Sequence, residues 1–86
     1  MIAASNDFLM HWKASAPRLA AFLKSRMRDT MAAQDILQEV YIKTQTRYSE
    51  LRDTGKIHAW FYKITSTLLA DYYRKRKDYV KLDSID

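Results

Sequence analysis

A chain of 86 residues with a single glycine, Gly55, and a single proline, Pro17, has almost nothing with which to make tight turns. A β-rich fold needs a turn residue every few positions, so this scarcity argues for a few long helices joined by short connections. Leu, Ala, Lys, Arg, Gln and Met are plentiful, and all are good helix formers. The length allows one domain. So short a chain buries only roughly 60–65% of its unfolded surface, which makes for a thin core. The expected fold is all-α, a compact bundle of three main helices with a polar loop before the third.

Asn6 is placed to cap the first helix, whose apolar face reads Phe8, Trp12, Ala16, Leu19, Leu23 and Met27 at spacings of three and four. Pro17 leaves two readings open. Either Ser15 caps a new helix with Pro17 in its first turn, or one helix runs through. Asp29-Thr30 reads as a turn and cap. Ala33, Ile36, Leu37, Val40, Tyr41 and Thr44 then form the inward face of a second helix, with Asp35, Gln38, Glu39 and Lys43 outward. Asp35 and Glu39 stand one turn apart and form an acidic ridge.

That helix fades near Tyr48, and residues 49–56 form a polar loop containing Gly55, a residue that tolerates backbone conformations closed to others. A third helix is expected over about residues 57–77. Its inward face is Ile57, Trp60, Phe61, Ile64, Leu68 and Tyr72, with His58, Tyr62, Thr65, Ser66, Leu69, Tyr73 and Arg76 opposite. The domain is thus expected over residues 1–77. Residues 78–86 have no clean period and read as a tail or the start of a linker.

The chain has no Cys. A secreted domain this small usually needs disulfide staples, so a reducing, cytoplasmic setting is expected. The first residues, Met1-Ile2-Ala3-Ala4-Ser5-Asn6-Asp7, lack the basic start and apolar run of a signal peptide. No apolar stretch approaches the length that spans a bilayer, and no membrane partner is expected. The two histidines, His11 and His58, form no catalytic or metal-binding motif with their neighbours. An enzyme is therefore not expected, and no cofactor is implied.

The formal net charge is +5, and all of it lies in one segment. From Lys56 to Lys77 there are six basic residues and one acid, Asp71, while the remainder carries nine of each sign. A localised basic stripe suits a polyanionic partner, although basic residues also favour a helix C-terminus through the macrodipole. Six of the eleven aromatic residues lie between Trp60 and Tyr79, a stretch that overlaps this segment: Trp60, Phe61, Tyr62, Tyr72, Tyr73 and Tyr79. Cations hold phosphates and aromatic faces accept unstacked bases, so single-stranded or melted nucleic acid is the target that uses both. Phe61 has the spacing of a core residue. For Trp60, core and DNA-facing roles are balanced, and Tyr62 and Tyr73 fall off the apolar face.

Ala33-Gln34-Asp35-Ile36-Leu37-Gln38-Glu39-Val40-Tyr41 resembles the second-helix signature of the extracytoplasmic-function group of the sigma-70 family. Ala59-Trp60-Phe61-Tyr62-Lys63-Ile64 resembles the opening of that family's promoter-reading helix, and Asp71-Tyr72-Tyr73-Arg74-Lys75-Arg76-Lys77 its basic end. Phe8, Pro17-Arg18-Leu19 and Phe22-Leu23 resemble the family's first helix and favour one helix through Pro17. The resemblance covers roughly residues 8–77.

The resemblance implies that Asp35, Gln38 and Glu39 dock on the β′ clamp helices of core RNA polymerase. It implies that the loop, with Arg52, Asp53, Thr54, Gly55 and Lys56, captures a base flipped from the non-template strand of the promoter minus-ten element. Trp60, Tyr62, Lys63, Thr67, Arg74, Lys75 and Arg76 would face DNA, and an anti-sigma factor would cover both surfaces. Thr67 stands where the family usually has Asn, so a bidentate amide is replaced by a hydroxyl. In the family, a second helical domain that reads the minus-thirty-five element follows the linker. The rival function is a helical interaction module or decoy that binds polymerase or a regulator without opening DNA.

Overall fold

The computed structural model describes residues 6–83, with side chains described for residues 7–76. Three helices form the bundle: α1 (Asn6–Arg26), α2 (Thr30–Arg47) and α3 (Ile57–Asp83). Each packs on the other two.

α1 is one continuous helix with Pro17 inside it. Pro17 and Lys13 both lie on its exposed side. The carbonyl left without its N–H partner is therefore on the side that water reaches, which limits the cost of an interior proline. Ser15 is not a cap. It is buried in mid-helix, 3% exposed, and its Oγ pairs with Nδ1 of His58 on α3. Asp29 caps α2 as expected, accepting a hydrogen bond from the Ala32 N–H at 3.1 Å.

Phe8, Leu19 and Leu23 from α1, Ala33, Ile36 and Val40 from α2, and Ile57, Phe61 and Leu69 from α3 form the core. At one end the Phe8 ring meets Trp12, Tyr41, Tyr48 and Phe61, with centroids 5.5–6.4 Å apart. Edge-to-face pairs at such distances add roughly 0.5–1.5 kcal/mol each beyond area burial. Aromatic volume here compensates for the short chain.

The core line of α3 differs from the expected one. Thr65 and Leu69, assigned above to the outer side, are buried at 0% and 7% exposure, whereas Trp60, Ile64, Leu68 and Tyr72 are half-buried. The deepest line is Ile57–Phe61–Thr65–Leu69, each one turn from the next. Thr65 enters it because its hydroxyl donates to the Phe61 carbonyl at 2.8 Å, leaving the methyl to pack. Thr44 does the same on α2, donating to Val40 at 2.7 Å. A threonine satisfied in this way occupies the core much as a valine would. α3 also continues to Asp83, beyond the end expected near Lys77.

Candidate functional site

The outward side of α2 carries Asp35, Glu39, Lys43 and Arg47 at intervals of four residues, so they form one row. All are exposed, as is Gln38 beside them. The row is acidic in its first half and basic in its second. Where the halves meet, Glu39 and Lys43 lie 3.9 Å apart with about half of each side chain in solvent. Such a contact leaves both charges available to other partners.

This row forms one wall of a groove between α2 and α3. Its basic end, about 330 Å³, is lined by Lys43, Arg47, Trp60, Lys63 and Thr67 among others. Its other end, about 420 Å³, is lined by Asp35, Glu39, Tyr72 and Lys75. Lys43, Leu68 and Asp71 border both. The half-buried Trp60 stacks beside Phe61 at 6.0 Å while lining the basic end, so one indole serves both the core and the groove. The Thr67 hydroxyl donates to the Lys63 carbonyl at 2.8 Å, which leaves its lone pairs for an incoming donor.

The loop residues Arg52, Asp53, Thr54, Gly55 and Lys56 are all exposed. The loop holds its shape through its own bonds. Leu51 N–H donates to Tyr48 at 3.0 Å, Lys56 N–H to the Asp53 carbonyl at 3.1 Å, and Gly55 N–H to Asp53 Oδ1 at 3.0 Å. Leu51 and Tyr48 pack against the core. Gly55 is not in the left-handed region, which corrects the expectation that the loop exploits its conformational freedom. What distinguishes the position is proximity: an added Cβ would sit 3.1 Å from Asp53 Oδ1.

The basic end of α3 does not form one patch. Successive residues are turned by about 100°, which sends Arg74, Lys75 and Arg76 to three surroundings. Arg74 is ion-paired with Asp71. Lys75 lines the acidic end of the groove. Arg76 donates to the Tyr72 hydroxyl at 3.4 Å and lines a separate cavity at the α1–α2 turn. Tyr62 also lies apart from the groove, its ring edge-on to Phe22 of α1 at 5.6 Å. Tyr73 donates its hydroxyl to the Arg26 carbonyl. The side chains of Lys77 and Tyr79 lie outside the described residues.

The structure thus brings Trp60, Lys63 and Thr67 together and adds two residues absent from the sequence-derived set, Lys43 and Arg47. The signal for them is present in the sequence: both continue the spacing of the acidic ridge with the opposite sign. Among the described residues, no helix is long and apolar enough to cross a membrane.

The family model described as Sigma-70 region 2 matches residues 11–79. The chain is similar to the RNA polymerase sigma factor SigZ of Bacillus subtilis (strain 168), with 33% identity over 66 residues, covering 77% of this chain and 38% of that protein. The chain therefore spans well under half the length of this curated relative. No solved structure matches it.

Proposed function

The chain belongs to the sigma-70 region 2 family, and we propose that it is the promoter-recognising and polymerase-docking domain of an extracytoplasmic-function sigma factor. The observation that carries this reading is the sign change along α2 beside a groove with an aromatic floor. The acidic half, Asp35 and Glu39 with Gln38, is exposed on a helix whose opposite face is already in the core. It is the surface we assign to the β′ clamp helices of core RNA polymerase.

The basic half joins Trp60, Lys63 and Thr67 to receive the non-template strand of the minus-ten element. Cations there hold phosphates, and the indole offers a stacking face for an unpaired base. The exposed loop, Arg52 to Lys56, takes a flipped base. Unstacking costs a few kcal/mol, which these contacts must offset for the domain to help melt the promoter. Such a domain acts by binding alone, in the cytoplasm where polymerase works. An anti-sigma factor covering the acidic row and the groove would silence both functions.

The test mixes the domain with core polymerase and follows retention of a single-stranded minus-ten oligonucleotide. Retention that depends on polymerase and on the minus-ten sequence is expected. Polymerase binding without oligonucleotide retention would replace this reading with that of a decoy.

A further inference from the structure

We propose that His11 on α1 and His58 on α3 form a two-imidazole site for a divalent transition-metal ion of the zinc, nickel and copper class. They are the only two histidines of the chain. They stand far apart in sequence, yet the packing of α1 on α3 brings their ring centroids to 6.1 Å. The pair lies outside the groove and the acidic row, so its metal binding is independent of the proposed function.

The spacing suits a shared ion. Zinc sits about 2.0–2.1 Å from an imidazole nitrogen, which puts the centroids of two coordinating rings about 5–6 Å apart. The observed distance is just beyond the wide end of that range, with the rings nearly perpendicular at 79°. A small rotation closes the site. Among the described residues, no hydrogen bond holds the His11 ring, so it can turn a nitrogen toward its neighbour. His58 is exposed and His11 half-buried, so an ion from solvent reaches the pair without opening the core.

Ser15 supplies the support that such a ligand needs. Its side chain is buried, and its Oγ pairs with Nδ1 of His58. When Nδ1–H donates to the Ser15 oxygen, the Nε2 lone pair of His58 is left for a metal. A metal-bound histidine almost always donates its other N–H in this way, and the partner fixes the tautomer and direction of the ring. The proton of the serine hydroxyl can go to the carbonyl one turn earlier in α1, as those of Thr44 and Thr65 do in their own helices.

The ligand type sets the ion. Imidazole suits zinc, nickel and copper, whereas magnesium and calcium take oxygen ligands. The chain has no Cys, so no thiolate competes. Among the described residues, no third His, Asp or Glu completes a cluster, so water fills the remaining positions. Asp7, exposed one turn before His11 on the same side of α1, adds negative charge nearby. An ion bound here clips α1 to the first turn of α3, directly after the loop of residues 49–56.

The test follows thermal unfolding of the untagged 86-residue chain by circular dichroism, with zinc chloride added to metal-free protein. An ion bound only by the folded chain raises the folded-to-unfolded ratio about tenfold when present at about ten times its dissociation constant. For a domain of this size, that raises the melting midpoint by about 6–11 °C. EDTA should reverse the rise, and magnesium chloride at the same concentration should produce none. His11→Gln and His58→Gln should each abolish it. Ser15→Ala should keep it but demand about 10–100-fold more zinc, as the loss of a supporting partner does.

Should a glutamine variant fail to fold, zinc titration of the native chain, read by the imidazole proton signals, decides instead. Both histidines should then move together with one midpoint, at one ion per chain. Movement of one histidine alone, or no rise in the melting midpoint up to millimolar zinc, overturns the inference. A rise that survives His11→Gln/His58→Gln also overturns it and assigns the ion to other groups.

Discussion

Asp35 and Glu39 occupy the first half of the outward row of α2, and Lys43 and Arg47 continue that row at the same spacing with opposite sign. Both halves are exposed, and both sit on a helix held by Ala33, Ile36, Val40 and Thr44 on its other face. Of the four charged residues, only Arg47 lies in the last turn of α2, where the helix macrodipole favours a cation; the others are solvated charges on an exposed face. The sign change therefore imposes no penalty on the fold. What separates the halves is what each one faces. The basic half borders Trp60, Lys63 and Thr67, while the acidic half lies beside Tyr72 and Lys75. When packing is secured by one face, the other face is free to carry charges of both signs in series, which the proposed function reads as two recognition surfaces.

The largest expected effect comes from reversing the acidic half. Asp35→Lys/Glu39→Lys should weaken core-polymerase binding by about 100-fold or more, since truncating one member of a desolvated interfacial charge pair costs about 2–5 kcal/mol. Helicity should persist, because exposed substitutions usually stay within about 0.5 kcal/mol. Co-purification with β′ by the double variant would refute the docking assignment, and unfolding would show the ridge to be structural.

Neutralising the basic half should act on the other partner. Arg47→Gln/Lys63→Gln is expected to reduce the salt slope for a single-stranded minus-ten oligonucleotide by about 0.7 for each phosphate released. Polymerase affinity should stay within about twofold, as expected for exposed substitutions away from the docking face. Equal weakening toward both partners would mean that the row is one surface and not two.

Exchanging residues 49–56 for the loop of another sigma factor should alter which minus-ten base is preferred, by about 1–3 kcal/mol of discrimination at one position. The salt slope and polymerase affinity should not move. Equal weakening for all four bases would make the loop structural and shift base choice to Lys63 and Thr67.

The smallest effect sharpens the claim that the row is indifferent to the fold. Lys43→Gln removes the pair that joins the two halves, 3.9 Å apart and half in solvent. Its cost in a denaturant titration should be under about 0.5 kcal/mol. A cost above about 1 kcal/mol, beyond the usual range for an exposed pair, would show that the ridge supports the bundle.

Much of this architecture is legible in residue order. The scarcity of Gly and Pro, the cap at Asp29, the inward face of α2 and its acidic ridge all follow from local rules, because helix period and capping act within a few residues. The core line of α3 is less legible. Thr65 counts as polar by composition, and only its bond to Phe61 makes it a core residue. The site is half legible. Trp60, Lys63 and Thr67 can be selected as neighbours on one helix, whereas Lys43 and Arg47 join them only across a gap between helices.

The sequence by itself determined an all-α bundle, the faces that α1 and α2 bury for most of their length, and where the charges lie along the chain. Those properties depend on the 3.6-residue turn and on side-chain chemistry, which act locally along the chain. Only the tertiary structure decided which charges share a surface. Arg74, Lys75 and Arg76 are consecutive in sequence, yet one pairs with Asp71, one borders Asp35 and Glu39, and one meets the α1–α2 turn beside Arg26 and Arg28. The physical reason is the helix rotation of about 100° per residue. It spreads a basic run around α3, and the neighbouring helices then set what each cation faces.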